Sequence, residues 1–198
     1  GKNNENLAYV NIGIIGKNIG TVSNFDGNFT LNIEEQNNKD TIRFSMIGYE
    51  SLEMIVADFK KANKKRPVVK LNPSVTTLNE VIISGKDLKE KILGNQTNSK
   101  NITGGFSTDL LGNEVGVVMK LKKKRPTYLK EFNCFIAKNN YGKLKFRLNI
   151  YEMEKGMPGK NILTENIFVE TEIKEGELTV DLTKYNLWVE KDFLIALE

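Results

Sequence analysis

The sequence predicts an all-β protein made of two consecutive antiparallel sandwiches, and three observations carry that expectation. Apolar residues recur with a period of two in short runs, and Gly, Pro, Asn and Asp interrupt those runs at short intervals. No long stretch has the 3.6-residue periodicity of an amphipathic helix. A polar, turn-forming stretch, Gly94 to Asn101, divides the runs into two sets.

The first set opens with Leu7 to Ile15 and Ile19 to Val22. The turn Asn24-Phe25-Asp26-Gly27-Asn28 follows, where Asp26 can cap its own backbone and Gly27 can adopt positive φ without a Cβ clash. Phe29 to Ile33 alternates strictly, so a hairpin is expected here. An Asp/Asn-rich loop also raises calcium, but too few carboxylates converge for the six to eight oxygens that ion takes. Asp40 to Ser45 is the next strand, Met46-Ile47-Gly48 a bend, and Tyr49 to Val56 a further strand. Pro67 to Leu71 and Leu78 to Ile83 complete the set.

The order Gly20-Thr21-Val22, Asp26-Gly27-Asn28-Phe29, Phe44-Ser45-Met46-Ile47-Gly48-Tyr49, Leu71 and Leu78-Asn79-Glu80-Val81-Ile82-Ile83 resembles the carboxypeptidase-regulatory-like domain, over Leu7 to about Ser84. The resemblance implies a transthyretin-like Greek-key sandwich without catalytic residues. Such domains stand on many exported bacterial proteins and at the front of TonB-dependent outer-membrane transporters. It therefore implies an exported, periplasmic or outer-membrane-associated location. In the transporters the closing Leu-x-Glu-Val run leads into a plug and a barrel, and here it leads elsewhere. The family also opens with a strand before the Leu7 run, whereas here only a polar hexapeptide precedes it. An open strand edge is expected at that point, and with it either an edge-strand dimer or the capture of an extended segment there.

Domain boundaries are expected at 1–85 for the first sandwich, 86–103 for a linker and 104–198 for the second sandwich. Within the linker, Lys86 to Leu93 has apolar residues only at Leu88, Ile92 and Leu93, consistent with a brief helix ended by Gly94. The second sandwich is read as jelly-roll-like, with strands at Glu114 to Leu121, Tyr128 to Ala137, Lys143 to Tyr151, Ile167 to Ile173, Glu177 to Leu182 and Asp192 to Leu197. Met157-Pro158-Gly159-Lys160-Asn161 reads as a loop. Phe146 to Tyr151, Pro158, Asn161 to Leu163, Val180 to Leu182 and Asp192 to Ile195 are similar to a module that follows regulatory-like domains in exported bacterial proteins. Those sequences run past the equivalent of Glu198, so more protein is expected beyond it.

Composition excludes much chemistry. The chain has 198 residues and no histidine, which removes Ser-His-Asp and Cys-His catalysis and histidine ligation of zinc, copper or iron. The single cysteine, Cys134, cannot form an intrachain disulfide; it alternates onto one face with Phe132 and Ile136 and reads as a small buried hydrophobe, with a reactive thiol as the alternative. Paired carboxylates at Glu152 and Glu154, or Glu170 and Glu172, share a strand face, which a glycosidase would need and a solvated sheet face explains equally. No enzyme, metal or cofactor is expected. No apolar run is long enough to span a bilayer, and the polar start lacks a signal-peptide pattern.

The candidate binding residues are of two kinds. With 29 basic and 25 acidic residues the chain is only mildly basic, and the excess lies in two clusters. Lys64, Lys65 and Arg66 end at Pro67, and Lys122, Lys123, Lys124 and Arg125 end at Pro126. Each reads as a solvated loop that discourages edge pairing, or as a site for an anionic glycan or headgroup; without interleaved aromatics, nucleic acid is not expected. Trp188, with Tyr185, is the second kind. Leu187 and Val189 should point inward and leave Trp188 outward, either as a sugar platform or packed on a neighbour. The function expected is a non-enzymatic binding or scaffolding protein with a protein or glycan partner at the cell surface. The alternatives are a carbohydrate-binding accessory of a polysaccharide-uptake system, and accessory domains of a larger enzyme or of a TonB-dependent transport assembly.

Overall fold

The computed structural model describes residues 5–62, 64, 68–74, 89–101, 103–108, 112–121 and 125–198. The chain is nearly all β, its strands antiparallel, and it divides into two compact units. One comprises Gly1–Leu78 with Thr108–Asn113, the other Asn79–Ser107 with Glu114–Glu198. The stretch read as a linker, 86–103, falls within the second unit. Its Lys89 to Leu93 is irregular rather than helical, since three apolar residues give a turn too little to bury, and 86–88 lie outside the described residues.

In the first unit, β1 (Asn11–Ile14), β2 (Gly20–Val22), β3 (Thr41–Ser45) and β4 (Leu52–Ile55) form one antiparallel sheet in the order β2-β1-β3-β4. Ile12, Ile14, Ile42 and Phe44 alternate onto one face and are buried. Phe44 meets Phe29 at 6.0 Å between ring centroids and Phe59 at 5.4 Å. Burying side chains of this size contributes roughly 1.5–3 kcal/mol each, which is where the sheet's stability resides.

The Leu7 run is not at an edge. Its ordered part, β1, pairs with β2 on one side and β3 on the other, so the edge strands among the described residues are β2 and β4. The run is also shorter than the alternation implied, because Tyr9 takes a left-handed φ of 62° and breaks it. Buried Ser23 repairs the break: its hydroxyl accepts from Val10 N–H at 2.9 Å and donates to the Leu7 carbonyl at 2.8 Å.

The predicted hairpin is half realised. Phe29, Leu31 and Ile33 do turn into the core, yet 28–34 makes no ladder. The turn before it is capped by Asn24 rather than Asp26, the Asn24 Oδ1 accepting from Asp26 N–H at 3.0 Å and Asn28 N–H at 2.9 Å. The strand expected to reach Val56 ends at Ile55, where helix α1 (Val56–Ala62) begins. Its first amides donate to the Asp40 and Asn38 carbonyls, and Val56 and Phe59 face the core one turn apart. The bend at Gly48 takes φ of 81°. Val68 to Leu71 forms no strand, although Leu71 is buried in the core beside Ile42 and Phe44 and a Tyr49–Pro73 bridge follows it; Pro67 and Leu78 to Ile83 lie outside the described residues.

In the second unit the elements are β5 (Val115–Met119), β6 (Thr127–Tyr128), β7 (Glu131–Ile136), β8 (Leu144–Glu154), β9 (Met157–Asn161), β10 (Ile167–Thr171), β11 (Gly176–Asp181), β12 (Trp188–Val189) and β13 (Phe193–Leu197). The eleven-residue β8 is the hub of a five-stranded sheet, order β10-β8-β13-β5, with β9 also paired to β8. Strands β11 and β7 form a second sheet, and β12 and β6 a third. Leu148, Ile150, Ile167, Phe193 and Ile195 are buried.

The segment Met157 to Asn161, read as a loop, is a strand. Lys155 and Gly156 both take positive φ, 51° and 82°, the geometry of a tight hairpin. Pro158 stands opposite Met153, whose N–H is donated to Asp192 on the other side, so the ladder requires no donor from proline.

Candidate functional site

Strand β8 carries an unusual face. Arg147, Asn149 and Tyr151 alternate with apolar residues and would ordinarily point to water, yet Arg147 and Asn149 are buried. Glu198, just after β13, and Glu114, just before β5, both approach them from the β13 side of β8. Arg147 donates through Nε to Glu198 Oε2 at 2.7 Å, and its Nη2 is bonded to the same oxygen. Asn149 Nδ2 donates to Glu114 Oε1 at 2.7 Å and accepts, through Oδ1, from Asn161 at 3.1 Å. Tyr151 donates to Glu114 Oε1 at 2.6 Å. The Glu198 Oε1 atom is buried without a hydrogen-bond partner.

Electrostatics in this cluster are lopsided, with two carboxylates against one guanidinium. Desolvation raises the Glu114 carboxyl above its usual range and the neighbouring Glu198 charge adds to it, opposed by the bonds from Tyr151 and Asn149 and by the Arg147 charge. The Tyr151 phenol is pushed far up by burial and by the Glu114 charge it faces. Chemically the arrangement can hold strands together and accept a donor. Each side chain of the cluster is engaged within the protein, which suits positioning better than proton transfer.

A second feature is a cleft of about 400 Å³ between β10 and β11. Ile167, Val169 and Leu178 lie along it with Glu170, Lys184 and Tyr185. Lys184 Nζ sits 4.8 Å from the centroid of the Tyr185 ring. Asp181 is held below the usual carboxylate range by hydrogen bonds from Thr183.

The residues singled out from sequence are dispersed. Leu187 and Val189 do turn inward, and Trp188 is half-buried, but it lies outside the cleft. Its ring packs on Tyr128 at 4.9 Å between centroids, and its Nε1 donates to Asn186 Oδ1 at 3.1 Å. Of that pair, Tyr185 lines the cleft. Lys64 and Arg125 are exposed. Lys65, Arg66, Lys122, Lys123 and Lys124 lie outside the described residues. Cys134 is half-buried on the Phe132 and Ile136 face, and burial pushes its thiol up, away from thiolate chemistry. Glu152, Glu154, Glu170 and Glu172 are exposed, and Glu170 is paired with Lys143 at 2.7 Å.

Sequence reasoning missed the Arg147 cluster. The signal available was the alternation Arg147, Asn149, Tyr151 itself, which sets three polar groups on one strand face; its closing partners, Glu114 and Glu198, are distant in sequence.

Among the described residues no three His, Cys, Asp or Glu side chains gather as a metal site, and no helix is long and apolar enough to cross a membrane. The family model of the CarboxypepD_reg-like domain matches residues 1–83. That match supports a carboxypeptidase-regulatory-like domain over this segment, and domains of that family are regulatory, non-catalytic β-sandwich modules. No curated protein and no solved structure matches the chain significantly.

Proposed function

We propose that the protein is a non-catalytic binding and scaffolding protein of the bacterial cell surface or periplasm, in which the regulatory-like domain and the second unit both serve as recognition modules. The observation that carries this reading is the match over residues 1–83 to a module with no catalytic role. The second unit supports it: among its described residues a buried ionic cluster ties β8 to Glu114 and Glu198, and the carboxylate pairs on the sheet faces stand in solvent. Purified protein, incubated with fractionated cells of its source, should co-sediment with the envelope fraction and leave peptide, ester and glycoside substrates intact. Partition with the cytosol, or turnover of any of those substrates, would overturn the reading.

The cleft at Tyr185 supports a second reading, a carbohydrate-binding accessory. An aromatic ring beside Lys184, Glu170 and Asp181 offers a stacking surface with polar groups around it. Trp188 contributes little to that surface, being packed on Tyr128. A glycan array would test it: loss of any array signal on Tyr185→Ala, with Trp188→Phe unaffected, is the expected pattern.

A further inference from the structure

Strand β5 is an edge of the five-stranded sheet, pairing with β13 alone, and no described strand lies on its other side. Its sequence, Val115-Gly116-Val117-Val118-Met119, contains no charge and no proline, the usual devices that blunt an edge. Val115, Val117 and Val118 are 36%, 55% and 42% exposed.

The direction of the free backbone groups follows from the ladder. Arg147 and Glu198 exchange both N–H···O bonds, at 2.9 and 3.0 Å, so Asn149–Ala196 and Tyr151–Leu194 are hydrogen-bonded pairs in the same alternation. On the opposite side of β13 the bonded pairs are then Phe193–Met119, Ile195–Val117 and Leu197–Val115. The N–H and C=O groups of Gly116 and Val118 therefore point outward from the sheet edge. Gly116 is itself required by the close approach of β13, since a Cβ there would lie 2.6 Å from the Ile195 carbonyl oxygen.

We propose that β5 pairs antiparallel with β5 of a second copy of this chain about a dyad at Val117, joining two sheets into one. Only this register overlaps all five residues of one strand with all five of the other. Gly116 then faces Val118 of the second copy and Val118 its Gly116, so the outward amides and carbonyls satisfy one another. Val117 meets Val117 across the dyad, and Val115 meets Met119. Just beyond the strand the same register sets Glu114 opposite Lys120 at both ends of the junction, where the carboxylate, its Oε1 already held by Tyr151 and Asn149, lends a negative field to the Lys120 cation rather than a new bond. The self-complementarity of the segment Glu114 to Lys120 is what selects a second copy as the occupant.

A five-residue junction is smaller than the interfaces of permanent dimers, so association should be weak and concentration-dependent. Sedimentation equilibrium up to about 1 mM should resolve a monomer–dimer equilibrium, and Val117→Lys, which sets like charges at the dyad, should weaken it about tenfold or more. Register is tested with single cysteines at 115, 117 and 118 in a Cys134→Ala background. Facing residues in a non-hydrogen-bonded antiparallel pair stand about 4.5 Å apart at Cα, within disulfide range, so Val117→Cys alone should oxidise rapidly to a covalent dimer. Val115→Cys would face its twin about 13 Å away along the strands and should remain monomeric. A strict monomer at the highest concentration, or cross-linking at 115 or 118 as efficient as at 117, would overturn the proposal.

Discussion

Replacing Arg147 by alanine should be among the most damaging single changes in the second unit, and the structure sets its size. The guanidinium and the Glu198 carboxylate are each 7% exposed, and both donors of the pair converge on Glu198 Oε2. Removing the cation leaves a carboxylate buried, with its other oxygen already lacking a partner. Breaking a buried pair from one side costs about 3–5 kcal/mol, far above the ~1 kcal/mol of an exposed bridge. For a unit of roughly a hundred residues that is a fall in Tm of about 12–20 °C. Removing both charges at once, in Arg147→Met with Glu198→Met, eliminates the orphaned ion and should recover most of the loss. Urea unfolding followed through Trp188, the only tryptophan and a residue of this unit, measures each step. A single-variant loss under about 1 kcal/mol, or a double variant as unstable as the single one, would refute the reasoning.

Three further outcomes follow from the same geometry. Because the Glu114 carboxyl is raised in the folded protein, its contribution to stability is fully present below its unfolded pKa and is lost as pH rises through the folded one. Glu114→Gln should therefore flatten the pH dependence of the second unit above about pH 4.5, checked by melts across pH. Gly48→Ala should cost about 1–2 kcal/mol from its φ of 81° alone, since an added Cβ meets nothing within 4 Å; a chemical melt of the regulatory-like domain reads this out. Cys134 should react with a thiol reagent far more slowly in the native protein than in urea, because burial raises its pKa and half covers it.

The fold was most legible where one strand face is buried and the other wet. β3, β10 and β13 appear within a residue or two of their alternating runs, because Ile42 and Phe44, Ile167 and Val169, or Phe193 and Ile195 supply the inward set. It was least legible where tertiary context overrides local preference. Pro158 and Gly159 read as a loop but lie on an edge strand whose opposite residue bonds elsewhere. Helix α1 is seven residues long, too short for a periodic signal, and holds because its first amides find carbonyls around Asp40. The Arg147 cluster was hidden for a related reason: a polar residue on alternate positions looks solvated until the groups that bury it are known. Those groups enter from 33 residues before Arg147 and 51 after it, at Glu114 and Glu198.

The segment Thr108–Asn113 has a consequence for how the protein is made. It belongs to the first unit although the chain has by then already entered the second, and Gly112, at φ of 93°, lies so close to Thr21 that a Cβ would stand 3.1 Å from its Cα. Neither unit is a continuous stretch of chain. During synthesis the amino-terminal unit cannot be finished when residue 83, the end of its matched family domain, leaves the ribosome; it must wait about thirty residues more, until Asn113 emerges, while the intervening stretch 79–107 is held for a partner not yet translated. A fragment cut at residue 83 would thus lack the piece that lies against β2, and one begun at Glu114 would lack the upstream stretch that belongs to the second unit. Each unit is completed only after the other has begun to be translated.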